Sequence, residues 1–208
     1  MENNRETEKT NTGIGNAPDT GAEGQAPKQK ARPFKHLGVV LRHRHAVLSH
    51  CVRAGIPLRG LLHDLSKFSP AEFIPSAKHF DGHRSPNELE RQEYGYSLAW
   101  MHHKGRNRHH FEYWTDYDPR TKAMSPVKMP LKFLVEMFCD RVGASKTYKG
   151  KDYTDAAPYE YFAKGKAKDR MHPETAVQLE KLLVMLRDEG EKKTFRYIRK
   201  ELLKKKDY

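Results

Sequence analysis

The histidine and aspartate side chains of this 208-residue chain are concentrated where they could bind a metal ion. All histidines except His172 lie between His36 and His110, and one of them is followed directly by a carboxylate in the pair His63-Asp64. Imidazole nitrogen and carboxylate oxygen suit manganese, iron, cobalt, nickel or zinc better than calcium. We therefore expect a divalent transition metal, as one or two ions, and the spacing does not choose among these elements.

Three histidines recur at intervals of seven residues in the first apolar helical segment: His36, His43 and His50. This spacing places them about 20 degrees apart per step along one edge of a helix. Such an edge suits metal ligands, and it is equally typical of the half-exposed border of an amphipathic helix. The spacing alone leaves both interpretations open.

The pair His63-Asp64 is followed one turn later by Lys67, in a short apolar segment that begins at Pro57. Proline is favoured at the first position of a helix, so this segment predicts a helix with the pair at its edge. Adjacent residues on a helix diverge by about 100 degrees. We therefore expect one side chain to bind an ion while the other bridges, accepts a water or holds a second ion.

Two further histidine pairs, His102-His103 and His109-His110, enclose a cationic stretch that includes Arg106 and Arg108. The first pair is expected at a helix end, with Gly105 as a left-handed cap. The stretch offers four more imidazole ligands, and it is equally typical of a basic surface loop that binds phosphate or RNA. The roles of His109 and His110 stay open.

Asp140 lies in a segment whose surroundings are mostly apolar. A buried carboxylate must be paired, coordinated or protonated. The adjacent Arg141 is a poor partner because consecutive residues on a helix do not face each other. A metal ion or a distant cation is the better partner for Asp140.

Helical periodicity organises most of the chain, which predicts an all-helical fold. Residues 1–32 contain almost no large apolar side chain and are expected to form a disordered tail, leaving residues 33–208 as one domain. Apolar residues recur at helical spacing from Phe34 to Gly55, and again after Pro130, where most of the helix circumference is apolar. The latter segment predicts a buried central helix.

Other helices are indicated by their start and stop signals. Ser69-Pro70 and Ser85-Pro86 each precede a glutamate, Glu72 or Glu88, that could return to the serine cap. The second of these helices is expected to continue to the histidines before Gly105. Residues 106–129 show no period and predict a long irregular connection, and a last amphipathic helix is expected to break at Gly190 before a lysine-rich one.

Composition restricts the partners. A formal net charge of +12 favours anionic partners, among them nucleotides, sugar phosphates and nucleic acids. No stretch approaches the roughly 20 apolar residues that a membrane helix needs, and the start of the chain lacks the pattern of a secretory signal, so we expect a soluble, cytoplasmic protein. Cys51 and Cys139 are interpreted as free packing residues.

The order of these residues resembles the HD superfamily of metal-dependent phosphohydrolases. That pattern is a histidine on a first helix, a His-Asp dyad on the next and an aspartate on a late helix, and His43, His63-Asp64 and Asp140 correspond to it. The run Leu61–Lys67 resembles the dyad with its following lysine, and Asp140-Arg141 resembles the terminal Asp-Arg. The likeness spans roughly residues 34–147. The interval from His43 to His63 is short for the superfamily, so His36 stays open as the first ligand.

The resemblance implies an HD-like helical bundle in which a metal-activated water hydrolyses a nucleotide or other small phosphoester. Asp64 and Lys67 would be catalytic, and the cations expected to bind the substrate are Lys67, Arg106, Arg108 and Arg141. His102 and His103 are similar to the paired histidines of two-metal branches, which leaves a di-iron oxygenase as an alternative. A non-catalytic nucleic-acid-binding protein is the second alternative. More narrowly, residues 60–114 resemble a family of uncharacterised bacterial and phage proteins.

Overall fold

The fold is all-helical, as predicted, with one small β-hairpin. The structure, a computed structural model, describes residues 31–205 and 207–208, so most of the predicted disordered tail lies outside the described residues. The elements, in chain order, are α1 Pro33–Ala54, α2 Pro57–Leu62, α3 Pro70–Lys78, α4 Pro86–Tyr94, α5 Leu98–Arg106, β1 Thr115–Asp118, β2 Ala123–Pro126, α6 Leu131–Lys149, α7 Ala157–Lys164 and α8 Pro173–Lys200.

Helix α1 begins and ends where the sequence predicts. Pro33 occupies its first turn, and Gly55 follows its last residue with φ of 91°, a left-handed conformation that glycine adopts without steric cost. Its buried face includes His36, His43 and His50 beside Val47. The histidine edge is therefore an inner face of the molecule.

The apolar core lies between α1, α6 and α8. Helix α6 is buried around most of its circumference, as predicted, and Leu134, Phe138 and Val142 have no exposed surface. Gly143 of α6 faces α1 so closely that an added Cβ would lie 2.8 Å from Val47 Cγ2. This close approach fixes α6, and with it Asp140, against the histidine face of α1.

Helix α8 changes direction at Gly190, whose φ of 78° and ψ of 169° are not helical. Before this kink, Leu182, Leu183 and Leu186 are fully buried in the core. The predicted break between an amphipathic helix and a lysine-rich one is confirmed.

Helix α2 ends earlier than predicted. It stops at Leu62, so His63 and Asp64 lie in the turn that follows it, not on its edge. The expected 100-degree divergence of the two side chains is therefore wrong. The apolar face of this segment is at least half exposed; its members are Leu58, Leu61, Leu62 and Leu65.

The helix expected to run from Ser85 to the paired histidines is two helices. Gly95, with φ of 78°, ends α4, and Ser97 starts α5 by accepting a hydrogen bond from the Trp100 amide at 3.0 Å. Gly105 lies inside α5, and its φ is not positive, so the prediction of a left-handed cap there is wrong. The glycine that serves as a cap is ten residues earlier than expected.

The irregular connection predicted over residues 106–129 contains regular structure. Strands β1 and β2 pair antiparallel, with Thr115 opposite Pro126. Both strands are mostly exposed, so they lack the alternation of buried and exposed side chains from which a strand is recognised.

Two simpler expectations can also be compared with the structure. Cys51 and Cys139 are free and fully buried, as predicted for packing residues. Within the described ranges, no helix combines the length and the apolar character needed to cross a membrane.

Candidate metal centre

Three helices and two turns bring histidine and carboxylate side chains into one buried cluster. Helix α1 contributes His43, the turn after α2 contributes His63-Asp64, and α6 contributes Asp140. Helix α5 contributes His103, and the turn after it contributes His109-His110. The cluster thus joins segments that are far apart in sequence.

The backbone of His63 and Asp64 explains how adjacent residues reach the same cluster. His63 is extended, with φ of −56° and ψ of 130°, and Asp64 has a left-handed φ of 53°. Aspartate is among the few residues other than glycine that adopt this conformation readily. As a result His63 Nε2 lies 3.3 Å from Asp64 Oδ2.

A first group of donors surrounds Asp64 Oδ2 and Asp140 Oδ1. His43 Nε2 lies 3.0 Å from Asp140 Oδ1 and 3.7 Å from Asp64 Oδ2. His63 Nε2 lies 3.6 Å from the same Asp140 oxygen. His43, His63 and Asp64 form a group of possible ligands, and Asp140 lies against the two histidines of that group. The structure thus places the four residues that the sequence pattern proposes as ligands in contact.

A second group surrounds the other oxygen of Asp64. His103 Nε2 and His109 Nε2 each lie 3.4 Å from Asp64 Oδ1. His110 Nε2 lies 2.8 Å from His103 Nε2. The donor atoms of these four residues lie within 4.8 Å of one another. Asp64 therefore offers one oxygen to each group.

Two buried glutamates hold the histidines from behind. Glu136 Oε1 lies 3.1 Å from His63 Nδ1 and 3.3 Å from His109 Nδ1. Glu72 Oε2 lies 2.7 Å from His103 Nδ1. Burial raises the pKa of each glutamate, but the hydrogen bonds from these histidines outweigh burial and lower it. Both carboxylates are therefore ionised and can only accept.

This outer layer fixes the tautomer of three histidines. Because Glu136 and Glu72 accept from Nδ1–H, the Nε2 lone pairs of His63, His103 and His109 point into the cluster. Carboxylates commonly orient metal-ligating histidines in this way. His63, His109 and Glu136 also form a group of possible ligands, but there the Nδ1 atoms already donate to the carboxylate.

Three polar atoms at the centre are buried without a hydrogen-bond partner: His63 Nε2, Asp64 Oδ1 and His109 Nε2. Leaving a buried donor or acceptor unpaired costs about 1–3 kcal/mol, so such atoms require a partner. A divalent cation satisfies lone pairs and carboxylates together. The residues of the cluster thus fit a metal ion in number, type and orientation.

The spacing of the donors is compatible with a shared ion. Two ligands each 2.0–2.1 Å from one ion lie about 2.9–4.2 Å apart, depending on the angle between them. The separations of 3.0–3.7 Å among His43, His63, Asp64 and Asp140 lie in this range.

The electrostatics of the cluster favour a cation. Burial alone raises the pKa of Asp64, but the charges of His63 and Lys67 hold it well below its usual range. Burial likewise raises the pKa of Asp140, and the neighbouring His43 and His63 imidazoles lower it well below the usual value. Burial lowers the pKa of His63, but Asp64, Asp140 and Glu136 raise it well above normal. The ionised carboxylates attract a proton wherever no metal ion is bound.

The predicted substrate-binding cations have different surroundings. Lys67 Nζ lies 2.6 Å from Asp64 Oδ2, at the edge of the cluster. Arg141 lies over the Phe162 ring, and its buried Nε has no hydrogen-bond partner. Arg106 is exposed at the end of α5, and Arg108 is exposed beside Tyr113. Of these four cations, Lys67 contacts the proposed ligand Asp64, and Arg141 interacts electrostatically with Asp140.

Two sequence candidates lie apart from both groups. His36 packs between Phe73 and Phe80, with ring centroids 5.4 Å away in each case, and it belongs to no group of possible ligands among the described residues. His102 Nδ1 donates to Glu72 Oε1 at 2.7 Å. Their role as ligands remains a prediction that the geometry does not favour.

Sequence reasoning missed several members of the site. Glu72 was interpreted as a cap residue, but Ser69 makes no side-chain cap bond and Glu72 faces His103 instead. Glu136 lies one turn before Asp140 on the buried helix, which is the signal that could have identified it. His109 and His110 were noted as possible ligands without a role.

A comparison with protein families matches residues 32–185 to a family of unknown function, DUF5662. No match was found among curated proteins, and none among solved structures. The matched region contains the whole cluster, from His43 to Asp140. Since the match covers more than half of the chain, the chain belongs to this family of unknown function.

Proposed function

We propose that the chain is a metal-dependent phosphohydrolase of the HD type that acts on a nucleotide or another small phosphoester. The observation that carries the proposal is the close contact of four side chains around buried polar atoms that have no hydrogen-bond partner. The four side chains are those of His43, His63, Asp64 and Asp140. These four are the residues that the HD resemblance implies as ligands. Two cations, Lys67 and Arg141, lie beside them.

Cations beside the cluster support a phosphorylated substrate. Among the described residues the Arg141 guanidinium takes part in no ion pair within 4 Å, although the charges of Asp140 and Glu112 act on it. An arginine whose donors are not used by the protein is suited to bind phosphate oxygens. Lys67 can add a second positive charge on the side of Asp64.

The chemistry divides between the ion and the protein. A divalent ion held by His43, His63, Asp64 and Asp140 would lower the pKa of a bound water toward neutrality and polarise a phosphoryl oxygen. Asp64, held ionised, can orient an attacking water by accepting a hydrogen bond. Lys67 and Arg141 can stabilise the negative charge that develops on the phosphoryl oxygens. Glu136 and Glu72 keep the histidine lone pairs directed inward.

A second candidate, an HD-type di-iron oxygenase, is favoured by one feature. Asp64 directs its two oxygens to two separate groups of donors, as expected of a carboxylate that bridges two ions. The sequence alternative assigned the second ion to His102 and His103, whereas the geometry favours His103, His109 and His110. Iron content together with oxygen uptake would distinguish this function from hydrolysis.

The test is phosphate release from a panel of nucleotides and model phosphoesters, with manganese, iron, cobalt, nickel or zinc added in turn. We expect release with at least one ion, and a loss of about 100-fold or more in kcat/KM for Arg141→Gln. Arg196→Gln is the matched control, because Arg196 is exposed on α8 and is not among the predicted substrate-binding cations, and it should change the rate by less than about threefold. Metal binding without phosphate release from any substrate would reject hydrolysis.

A further inference from the structure

Glu136 occupies an unusual position behind the cluster. It is only 4% exposed, and one of its oxygens, Oε1, faces the Nδ1 atoms of both His63 and His109. Its other oxygen lies 3.8 Å from Arg59 Nη1, whose guanidinium is held over the Phe133 ring. The carboxylate is therefore fixed from both sides.

The two histidines that share Glu136 belong to different groups of donors. His63 Nε2 faces Asp64 Oδ2, in the group with His43 and Asp140. His109 Nε2 faces Asp64 Oδ1, in the group with His103. A change in the position or charge of either imidazole therefore alters the contacts of the same Glu136 oxygen.

We propose that Glu136 is a positioning residue that couples two ion positions, one at each oxygen of Asp64. The inference rests on the metal centre of the proposed function, but not on hydrolysis. An ion on Nε2 makes the Nδ1–H of the same ring a stronger donor, which draws Glu136 Oε1 into a defined position. That position also orients the second ring, so occupancy of either position favours the other, and the effect is reciprocal.

Glu72 provides a contrast within the same layer. It accepts from His103, in one group only, and its other partner is His102, which lies outside both groups. Glu72 and Glu136 are both buried and ionised and both orient histidines. Glu136 contacts a histidine in each group of donors, whereas Glu72 contacts a histidine in one group only. Glu72 is therefore the matched control.

The experiment is calorimetric titration of metal-free full-length protein with Co²⁺, together with the visible absorption of the bound cobalt. Wild-type protein should bind two ions in interdependent steps. Glu136→Gln should weaken both steps by about 10- to 100-fold, whereas Glu72→Gln should weaken one step by about that factor and leave the other within about threefold. The cobalt spectrum should change for both ions only in Glu136→Gln.

Each other outcome contradicts the coupling. A single bound ion in the wild type, or a Glu136→Gln variant that weakens one step only, would overturn it. If Glu136→Gln does not fold by circular dichroism, Arg59→Gln is the second variant, since it loosens the other oxygen and should weaken both steps in parallel. Two coupled ions with no phosphate release would preserve the coupling and reject the hydrolase.

Discussion

The apolar core and the histidine–carboxylate cluster are both buried, but they contribute to stability in opposite ways. Between α1, α6 and α8, side chains such as Leu182 and Phe138 are fully removed from water, and each stabilises the fold by its burial. In the cluster, His63 Nε2, Asp64 Oδ1 and His109 Nε2 are buried without partners. Leaving such atoms unpaired destabilises the fold. The core therefore stabilises the structure, whereas the cluster is a local cost to stability at a place that could hold a metal ion.

The largest expected effect is the gain in stability on ion binding. Because the folded chain binds the ion and the unfolded chain does not, an ion at about 1,000 times its dissociation constant should raise the free energy of unfolding by about 4 kcal/mol. Thermal unfolding of the chelator-treated protein with and without Mn²⁺ or Co²⁺ measures this. An unchanged unfolding temperature at saturating ion would remove the contrast with the core.

A substitution in the core should have the opposite effect and destabilise the protein. Leu182→Ala removes a side chain with no exposed surface and should lower the free energy of unfolding by about 3 kcal/mol. The folded variant should bind as many ions as the wild type, because Leu182 lies outside both groups of donors. Chemical denaturation and metal analysis give the two numbers. A loss of ions in the folded variant would show that core and cluster are not separable.

A buried histidine next to the core, His50, should make the free energy of unfolding depend on pH. Burial, aided by the positive charge of Lys146, lowers the pKa of His50 to about 4, and Glu191 only partly opposes this. Its unfolded pKa is about 6.5. As the pH falls from 6.5 to 4, the unfolded chain binds a proton that the folded chain does not, so stability declines over this window by up to about 3 kcal/mol.

Denaturation curves at pH 7, 5.5 and 4 check this prediction against His50→Gln, which does not titrate. The difference in unfolding free energy between wild type and variant should shift in favour of the variant as the pH falls. A difference that stays constant with pH would mean that His50 is not held neutral in the fold.

The smallest effect is expected at His36. Its ring contacts Phe73 and Phe80 and lies in neither group of donors. His36→Phe should therefore change the dissociation constant for Co²⁺ by less than about threefold, whereas His43→Phe should weaken binding by at least about 10-fold. Equal losses in the two variants would restore His36 as a ligand.

The sequence predicted secondary structure best in segments where apolar residues recur at the helical period without interruption. Apolar spacing and flanking proline or glycine located α1, the buried α6 and the kink in α8, and the same reasoning placed Asp140 on a central helix. The four residues that the HD resemblance implies as ligands lie close together in the fold. These helices depend on local patterns, namely apolar spacing and flanking proline or glycine, which can be read from one sequence.

The parts of the site that could not be predicted lie where helical periodicity is interrupted or where only tertiary packing decides which way a side chain faces. The turn that aims His63 and Asp64 into one site requires a left-handed aspartate, which helical spacing does not indicate. The second group depends on a turn after α5 that brings His109 and His110 back to His103. Glu72 and Glu136 were hidden because a glutamate on a helix is usually exposed or a cap, and only tertiary packing turns these two inward.

The most direct test of the metal centre is metal analysis of the purified protein beside its Asp64→Ala variant, both first incubated with Mn²⁺, Fe²⁺, Co²⁺, Ni²⁺ or Zn²⁺ and then desalted. Asp64 contributes an oxygen to each group, so we expect about one or two ions per wild-type chain and essentially none in a folded Asp64→Ala variant. A wild-type protein that retains no ion, or a variant that retains as many as the wild type, would contradict the account.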